Sequence, residues 1–439
     1  MIARFCYLQV VISMRFPSLR SILLAGLLSI IISPAFATNG YVGHGYGIKS
    51  RGMAGAGVAL PQETLIAATN PAGMAFLGDR LDVSAALFSP RRSYEVDGMP
   101  TGPFPLANDK VDSNREYFLL PEMGVNWQLD EHKSFGLTLF GNGGMNTQYS
   151  ASDTSSNGTF GAGSTGVDLA QIFLSPTFAY KFDNDAAIGV SAILAYQRFS
   201  ITGVSSFAGL STSPEKLSNN GHDHGFGAGI NLGFILPVGE TITLGGGYRS
   251  RVYMEKFDSY QGLFSEQGDF DIPASGTIGL AWKTTEAVTL LLDVQKTWYS
   301  SIDSIGNAMM PAMGQCFMGD SNSCLGGDNG IGFGWKDMTT VKFGMQWDAG
   351  NDWTWRAGYS HGNQPIPESE VLLNIVALGV IEDHFTIGFT KKFDQGQQEI
   401  NFGAMVAPKN SVKGTIPSGQ TVELEMMQYQ LELGWAKFF

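Results

Sequence analysis

The sequence predicts an all-β membrane protein: a 14-stranded antiparallel transmembrane β-barrel with an N-terminal plug, or hatch, inside its lumen. Three observations carry that prediction. Of 439 residues, 44% are hydrophobic and only 15% charged, against roughly 25% charged in an ordinary soluble domain. The mean hydropathy of +0.01 nevertheless excludes a bundle of membrane helices. Segments of apolar/polar alternation recur between short polar turns, with 56 glycines and 12% aromatic residues. That mixture suits strands that are apolar on one face only. The formal net charge of -13 argues against a nucleic-acid partner, which wants a basic stripe.

Residues 1–37 read as a cleaved secretory signal. Arg15 and Arg20 form the positive region, Ile22 to Ile32 the apolar core, and Ala35-Phe36-Ala37 the small-x-small cleavage site. The core is shorter than the about 20 residues of a spanning helix. The signal is complete from Met14, which is read as the start, so Cys6 is absent from the mature chain. Cys316 and Cys324 remain, eight positions apart in an exported chain. An oxidising compartment predicts that they pair, a short loop closure worth roughly 2–3 kcal/mol.

Six short polar stretches count the strands: 129–134, 182–187, 237–241, 283–287, 348–352 and 393–398. Six turns make six hairpins. One strand precedes them near 80–92 and one follows near 424–439, giving fourteen over 80–439. Connections on the other side are longer, as at 209–225, 259–270 and 304–335. Short turns on one side and long loops on the other are the asymmetry of bacterial outer-membrane barrels. In the last strand Met427, Tyr429, Leu431, Leu433, Trp435 and Phe439 share one face, opposite Gln428, Gln430 and Glu432. In 287–299, Val288, Leu290, Leu292, Val294 and Trp298 oppose Thr289, Asp293, Gln295 and Thr297, with Lys296 breaking the outer pattern. In 242–255, Ile242, Leu244, Tyr248, Val252 and Met254 oppose Arg249 and Arg251. An apolar face to lipid and a polar lumen explain these patterns.

Residues 38–79 lack this alternation and are rich in Gly and Ala. A lumen of fourteen strands is too wide for wall side chains to fill, so this stretch is read as a hatch. The strand "SFGLTLFGNGGMNTQY" (134–149) carries Gly141, Asn142, Gly143, Gly144 and Met145 partway along. Glycines there mark a bulge or a close backbone approach.

These residues resemble the FadL/TodX family of outer-membrane transporters for long-chain fatty acids and other hydrophobic compounds. "NPAGM" (70–74) is similar to the family's hatch element, and 134–149 to its third strand; "YRS" (248–250), "WKD" (335–337) and "PIPESE" (365–370) follow in the expected order. The resemblance implies a kinked third strand at Gly141, Asn142, Gly143, Gly144 and Met145, opening the wall sideways. A bulge packed against the plug is the alternative. It implies a hatch role for Asn70, Pro71 and Ala72, and a mature N-terminus, Thr38-Asn39-Gly40, that reaches the ligand site. It also implies that external loops capture ligand, with Phe207, Leu210, Leu263 and Phe264 as candidates; loop-on-loop packing is the other reading.

A carboxylate headgroup needs a cation. Arg249 and Arg251 have lumen-facing parity, and Arg198 the apolar-face parity. Gly203 and Ile331 stand where the family's fatty-acid pattern has basic residues, which leaves uncharged hydrocarbons open. "VLLNIVALGVI" (371–381) is read as strand plus loop, and His222-Asp223-His224 as a polar loop without a third ligand. No metal, cofactor or catalytic group is expected. The resemblance implies the Gram-negative outer membrane as location, its lipid and lipopolysaccharide as surroundings, and a monomer. Phe439, aromatic and terminal, resembles the signal read by the barrel-assembly machinery. The expected function is passive uptake of long-chain fatty acids or related compounds. The alternatives are a channel for monoaromatic or alkane hydrocarbons and, in another class, a surface adhesin or receptor.

Overall fold

The structure, a computed structural model, describes residues 38–439; the expected signal over 1–37, with Cys6, lies outside the described residues. Fourteen long strands run in chain order: β1 (Arg80–Asp97), β2 (Phe118–Gln128), β3 (Lys133–Tyr149), β4 (Thr165–Lys181), β5 (Ala187–Thr202), β6 (Asp223–Val238) and β7 (Ile242–Arg249). The second seven are β8 (Ser275–Lys283), β9 (Val288–Thr297), β10 (Met338–Gly350), β11 (Trp353–Gly362), β12 (Asp383–Phe393), β13 (Gln398–Thr415) and β14 (Thr421–Phe438). Each pairs antiparallel with the next, and β14 pairs with β1 from Phe438↔Arg80 to Thr421↔Asp97. The sheet is therefore a closed barrel, which hydrocarbon demands because it offers the backbone no hydrogen-bond partners.

All six polar stretches are turns, joining β2–β3, β4–β5, β6–β7, β8–β9, β10–β11 and β12–β13. The faces follow the alternation. On β14 Tyr429, Leu431, Leu433 and Trp435 are exposed on the outer face, and Gln428, Gln430 and Glu432 are buried inside. On β9 Leu290 and Val294 face out while Asp293, Gln295 and Thr297 are buried. Lys296 lies at the outer end of β9, 3.3 Å from Asp337 and over Trp298, so its ammonium leaves the apolar belt.

Two expectations fail. Residues 242–255 are not one strand: β7 stops at Arg249, and Ser250 donates to the Ile230 carbonyl where the ladder breaks. The phase inverts there, so Val252 and Met254 turn inward and Tyr253 turns out. Residues 371–381 contain no strand. They form a short helix, Val371–Asn374, and a buried coil before β12. Their apolar run reflects packing under the other loops.

The N-terminal segment touches inward-facing side chains on strands around the ring. Lys49 lies 2.6 Å from Glu399 of β13, and Arg80 bridges the same carboxylate to Asp82. Arg51 pairs with Glu122 of β2 and, at 3.4 Å, with Glu432 of β14. The Gly57 and Val58 amides donate to Asp293 of β9. Asn70 caps the short helix Pro71–Phe76 through the Ala72 amide and donates to the carbonyls of Val58 and Phe234. Beside it the wall is stripped to glycine. A Cβ at Gly247 would strike the Thr69 carbonyl, and one at Gly233 the Asn70 side chain.

Breaking a buried ion pair from one side costs about 3–5 kcal/mol. Glu399→Ala leaves Lys49 without its carboxylate. It is expected to expose residues 48–68 to protease at lower temperature, while unboiled protein keeps the mobility of a folded barrel. Unchanged protection would refute the anchoring role of this pair.

Candidate functional site: a lapse in the wall and the pocket behind it

The ladder between β2 and β3 is incomplete. It runs from Gln128↔Ser134 only as far as Met123↔Leu139. Beyond that point β2 continues against β1 to Phe118↔Phe88, and β3 continues against β4 to Tyr149↔Thr165. The facing edges of Phe118–Glu122 and Phe140–Gln148 do not pair with each other until the Asn114 amide meets the Gln148 carbonyl at 2.8 Å. The departure begins at a bulge. The β3–β4 register shifts between Gly141 and Gly143, leaving Asn142 outside the ladder.

Residues 41–47 occupy the lapse. Val42 pairs antiparallel with Gly143, and the Gly144 amide donates to the Tyr41 carbonyl at 3.0 Å. On the other side the Gly47 amide donates to Glu122. A side chain at Gly143 would meet the Tyr41 carbonyl and lie 3.0 Å from the Val42 Cα. The glycine that breaks the strand is thus the one that admits a second backbone. Met145 is buried just above, among apolar groups. Asn142 is held by three neighbours. It donates to Gln171 at 2.8 Å, and its Oδ1 accepts from Tyr46 Oη at 3.0 Å and Arg249 Nη1 at 2.5 Å.

The chain before Val42 is held by the uncharged side chains of Gln428 and Tyr299. Thr38 exchanges two hydrogen bonds with Gln428, and Tyr299 Oη donates to the Asn39 carbonyl at 2.5 Å. Gly40 sits at φ 69°, with its α-carbon face against the Tyr299 ring. The Asn39 amide is buried without a partner. The Tyr41 ring packs against Tyr299, Trp335 and Phe270, at centroid distances of 5.4, 5.9 and 6.3 Å.

The Phe270 ring centre lies 4.7 Å from that of Phe264, which borders an apolar pocket among the loops. Phe160, Ile201, Phe207, Leu263, Leu325 and Ile331 are among its lining residues, and no ionisable side chain is. Phe207, Leu210, Leu263 and Phe264 have two readings in the sequence, an external capture surface or loop-on-loop packing. Phe207, Leu210 and Phe264 are buried, 2% exposed each, and Leu263 is partly buried. The loops fold over their own apolar residues, so the surface is turned into a pocket. The expected disulfide is present between Cys316 and Cys324. Next to it, the Leu325 amide donates to the Leu210 carbonyl, tying the cysteine loop to the loop that carries Phe207.

The arginine candidates separate. Arg251 does not face the lumen as its parity predicted, because the break after Arg249 moves it. It pairs with Asp271 at 2.5 Å and Asp269 at 3.4 Å, in the loop after β7. Burial, and then the neighbouring Asp271, push Asp269 up to about 6. Arg198 keeps its outward parity and pairs with Asp168, which His222 also meets. His224 bonds to Tyr196 instead, and among the described residues no cluster could hold a metal ion. Arg249 is buried beside the bulge. Tyr41, Val42, Tyr46, Tyr299 and Gln171 escaped sequence reasoning. The dipeptide Tyr41-Val42, aromatic and β-branched between Gly40 and Gly43, was the available signal.

A closed fourteen-strand barrel with an apolar outer belt defines the class: a β-barrel protein of the Gram-negative outer membrane. The chain belongs to the outer membrane protein transport protein family (OMPP1/FadL/TodX), whose sequence model matches residues 29–395. Among solved structures, the toluene transporter TodX of P. putida superimposes with a TM-score of 0.68 at 18% identity, over 90% of this chain and 99% of that one. A Pseudomonas aeruginosa FadL homologue gives 0.68 at 15%, over 91% and 100%. The Ralstonia pickettii toluene transporter TbuX gives 0.62 at 16%, over 90% and 99%. No curated protein sequence matches the chain.

Replacing Cys316 and Cys324 together by serine is expected to leave the barrel's melting unchanged and to raise hydrogen exchange over 303–335 by tenfold or more. A loop equally protected in the variant would show that the crosslink does not hold the pocket's lid.

Proposed function

We propose that the chain is a passive transporter of hydrophobic compounds in which residues 38–79 are the hatch. Ligand enters the apolar loop pocket, displaces the tip formed by 38–43, and leaves sideways between β2 and β3. One observation carries the reading: the wall lacks β2–β3 pairing beyond Leu139, and the edge at Gly143 is covered by Val42 rather than by wall. Lateral release keeps the ligand out of periplasmic water, at about 0.8 kcal/mol per CH₂.

The hatch is suited to partial movement. Residues 48–80 are fastened by buried ion pairs, whereas 38–43 bond uncharged side chains and enclose an unpaired Asn39 amide. Such an amide costs about 1–3 kcal/mol while buried, which favours its release. Asn70, Pro71 and Ala72 belong to the fixed part. Phe439, at the end of β14, is the element offered to the assembly machinery.

The pocket suits an apolar tail or a neutral molecule, because Ile331 borders it and no cation does. The alternative of a hydrocarbon channel draws on that lining and on the likeness to toluene transporters. Uptake of labelled toluene and of labelled oleate, in cells lacking their own transporter, separates the two. Gly143→Trp is expected to cut uptake at least tenfold with the barrel assembled. Normal uptake by a folded variant would sink the lateral route.

A further inference from the structure

We infer that Arg249 is a carboxylate-binding residue behind the wall lapse, and that a ligand's carboxylate replaces Asn142 upon it. The inference rests on the transport reading above and assigns the headgroup that the site selects.

Arg249 ends β7 on the inner face and is 4% exposed. Its described partners are all neutral. Nη1 donates to Asn142 Oδ1 at 2.5 Å and to Tyr46 Oη at 3.4 Å, the guanidinium lies 5.5 Å from the centre of the Phe173 ring, and Nε has no partner. Of the other buried arginines, Arg51 has Glu122 and Glu432 and Arg80 has Asp82 and Glu399, while Arg92 and Arg356, like Arg249, bond neutral groups; Arg249 is the one of these three that meets Asn142 at the bulge. A guanidinium buried without an anion carries its desolvation cost uncompensated. A carboxylate arriving there makes charge-assisted, bidentate hydrogen bonds, roughly twice as strong as those to an amide oxygen.

The surroundings fit an amphipathic acid. Arg249 borders a small polar pocket with Tyr46, Thr69, Asn231, Ser275 and Gln295. Its guanidinium also lies 5.5 Å from the ring centre of Phe173, a member of an apolar cluster with Phe140, Val252 and Ile272. A headgroup at this residue therefore adjoins both a polar and an apolar surface.

Exchange at Arg249 also acts on the wall. Asn142 is the residue that the bulge leaves out of the ladder, and Tyr46 Oη, from the hatch, bonds both its carbonyl and its side chain. A carboxylate that takes Arg249 frees Asn142 on one side and loosens the hatch on the other. A hydrocarbon has no group for this exchange. Discrimination between acid and hydrocarbon therefore sits at Arg249, while the loop pocket accepts both.

Asn142→Asp is the isosteric test, because it supplies Arg249 with an internal carboxylate. Arg249→Met removes the cation. Each variant is expressed in cells lacking their own transporter, its assembly is checked by heat-dependent gel mobility, and uptake of labelled laurate is divided by uptake of labelled toluene. The ratio is expected to fall at least tenfold in both. If Arg249→Met does not assemble, Asn142→Asp decides. A ratio unchanged in the assembled variants overturns the inference, even where both uptakes fall, and leaves Arg249 a structural prop of the bulge. Wild-type protein that carries toluene and no laurate also overturns it, with transport intact. Wild-type protein that carries neither sinks the transport reading instead.

Discussion

Everything in this molecule depends on one requirement: inside a bilayer, every backbone amide and carbonyl must find its partner within the protein. Thirteen consecutive pairings and the β14–β1 seam meet it around the ring. The requirement is met in another way above Leu139, where β3 parts from β2. There the edge is met by a backbone from within, Tyr41 to Gly143 and Gly144. A wall strand cannot leave its neighbours, because it is continuous with the barrel. On the proposed reading, with the expected signal over 1–37 removed, the tip at 38–43 can, because it is then joined to the rest at one end only.

The fold therefore combines two kinds of attachment in a single short segment. Its middle is bound by charges that no water reaches, where losing a partner is costly. Its tip is bound by amides, hydroxyls and tilted aromatic rings, whose individual contributions are about 1 kcal/mol. Tyr41 belongs to both the tip and the aromatic chain leading to the loop pocket. On the proposed route, a ligand moving from pocket to wall must pass that ring, so entry and exit meet at one residue.

Most of the barrel was legible because its rules are local. Alternation is decided by lipid on one side and polar groups on the other, and turns announce themselves through Asp, Asn and Gly. Legibility failed where tertiary contacts override period two. The alternation through Val252 and Met254 could not show the break at Ser250, which is a hydrogen bond to another strand. The apolar residues of the loops could be read as a capture surface or as loop-on-loop packing. Here Phe207 and Phe264 are covered by Phe160 and Phe199, from distant parts of the chain. The glycines of β3 announced a departure from the ladder, but nothing near them named Val42 as the group that would arrive. Arg249 was visible by parity. Its neutral surroundings were not, since Tyr46, Asn142 and Phe173 come from three other segments.

The bond between Thr38 and Gln428 joins groups 390 positions apart. The segment that occupies the wall lapse is the first part of the described chain, and one of its partners is on the last strand. It cannot reach its final place until nearly all of the chain has arrived. Contacts so distant along the sequence make folding slow, because loop closure must precede any gain. During that interval the two edges of the lapse and the apolar stretches of the N-terminal segment are uncovered together, which exposes the chain to aggregation. The first described residues therefore gain these bonds only once β14 is in place.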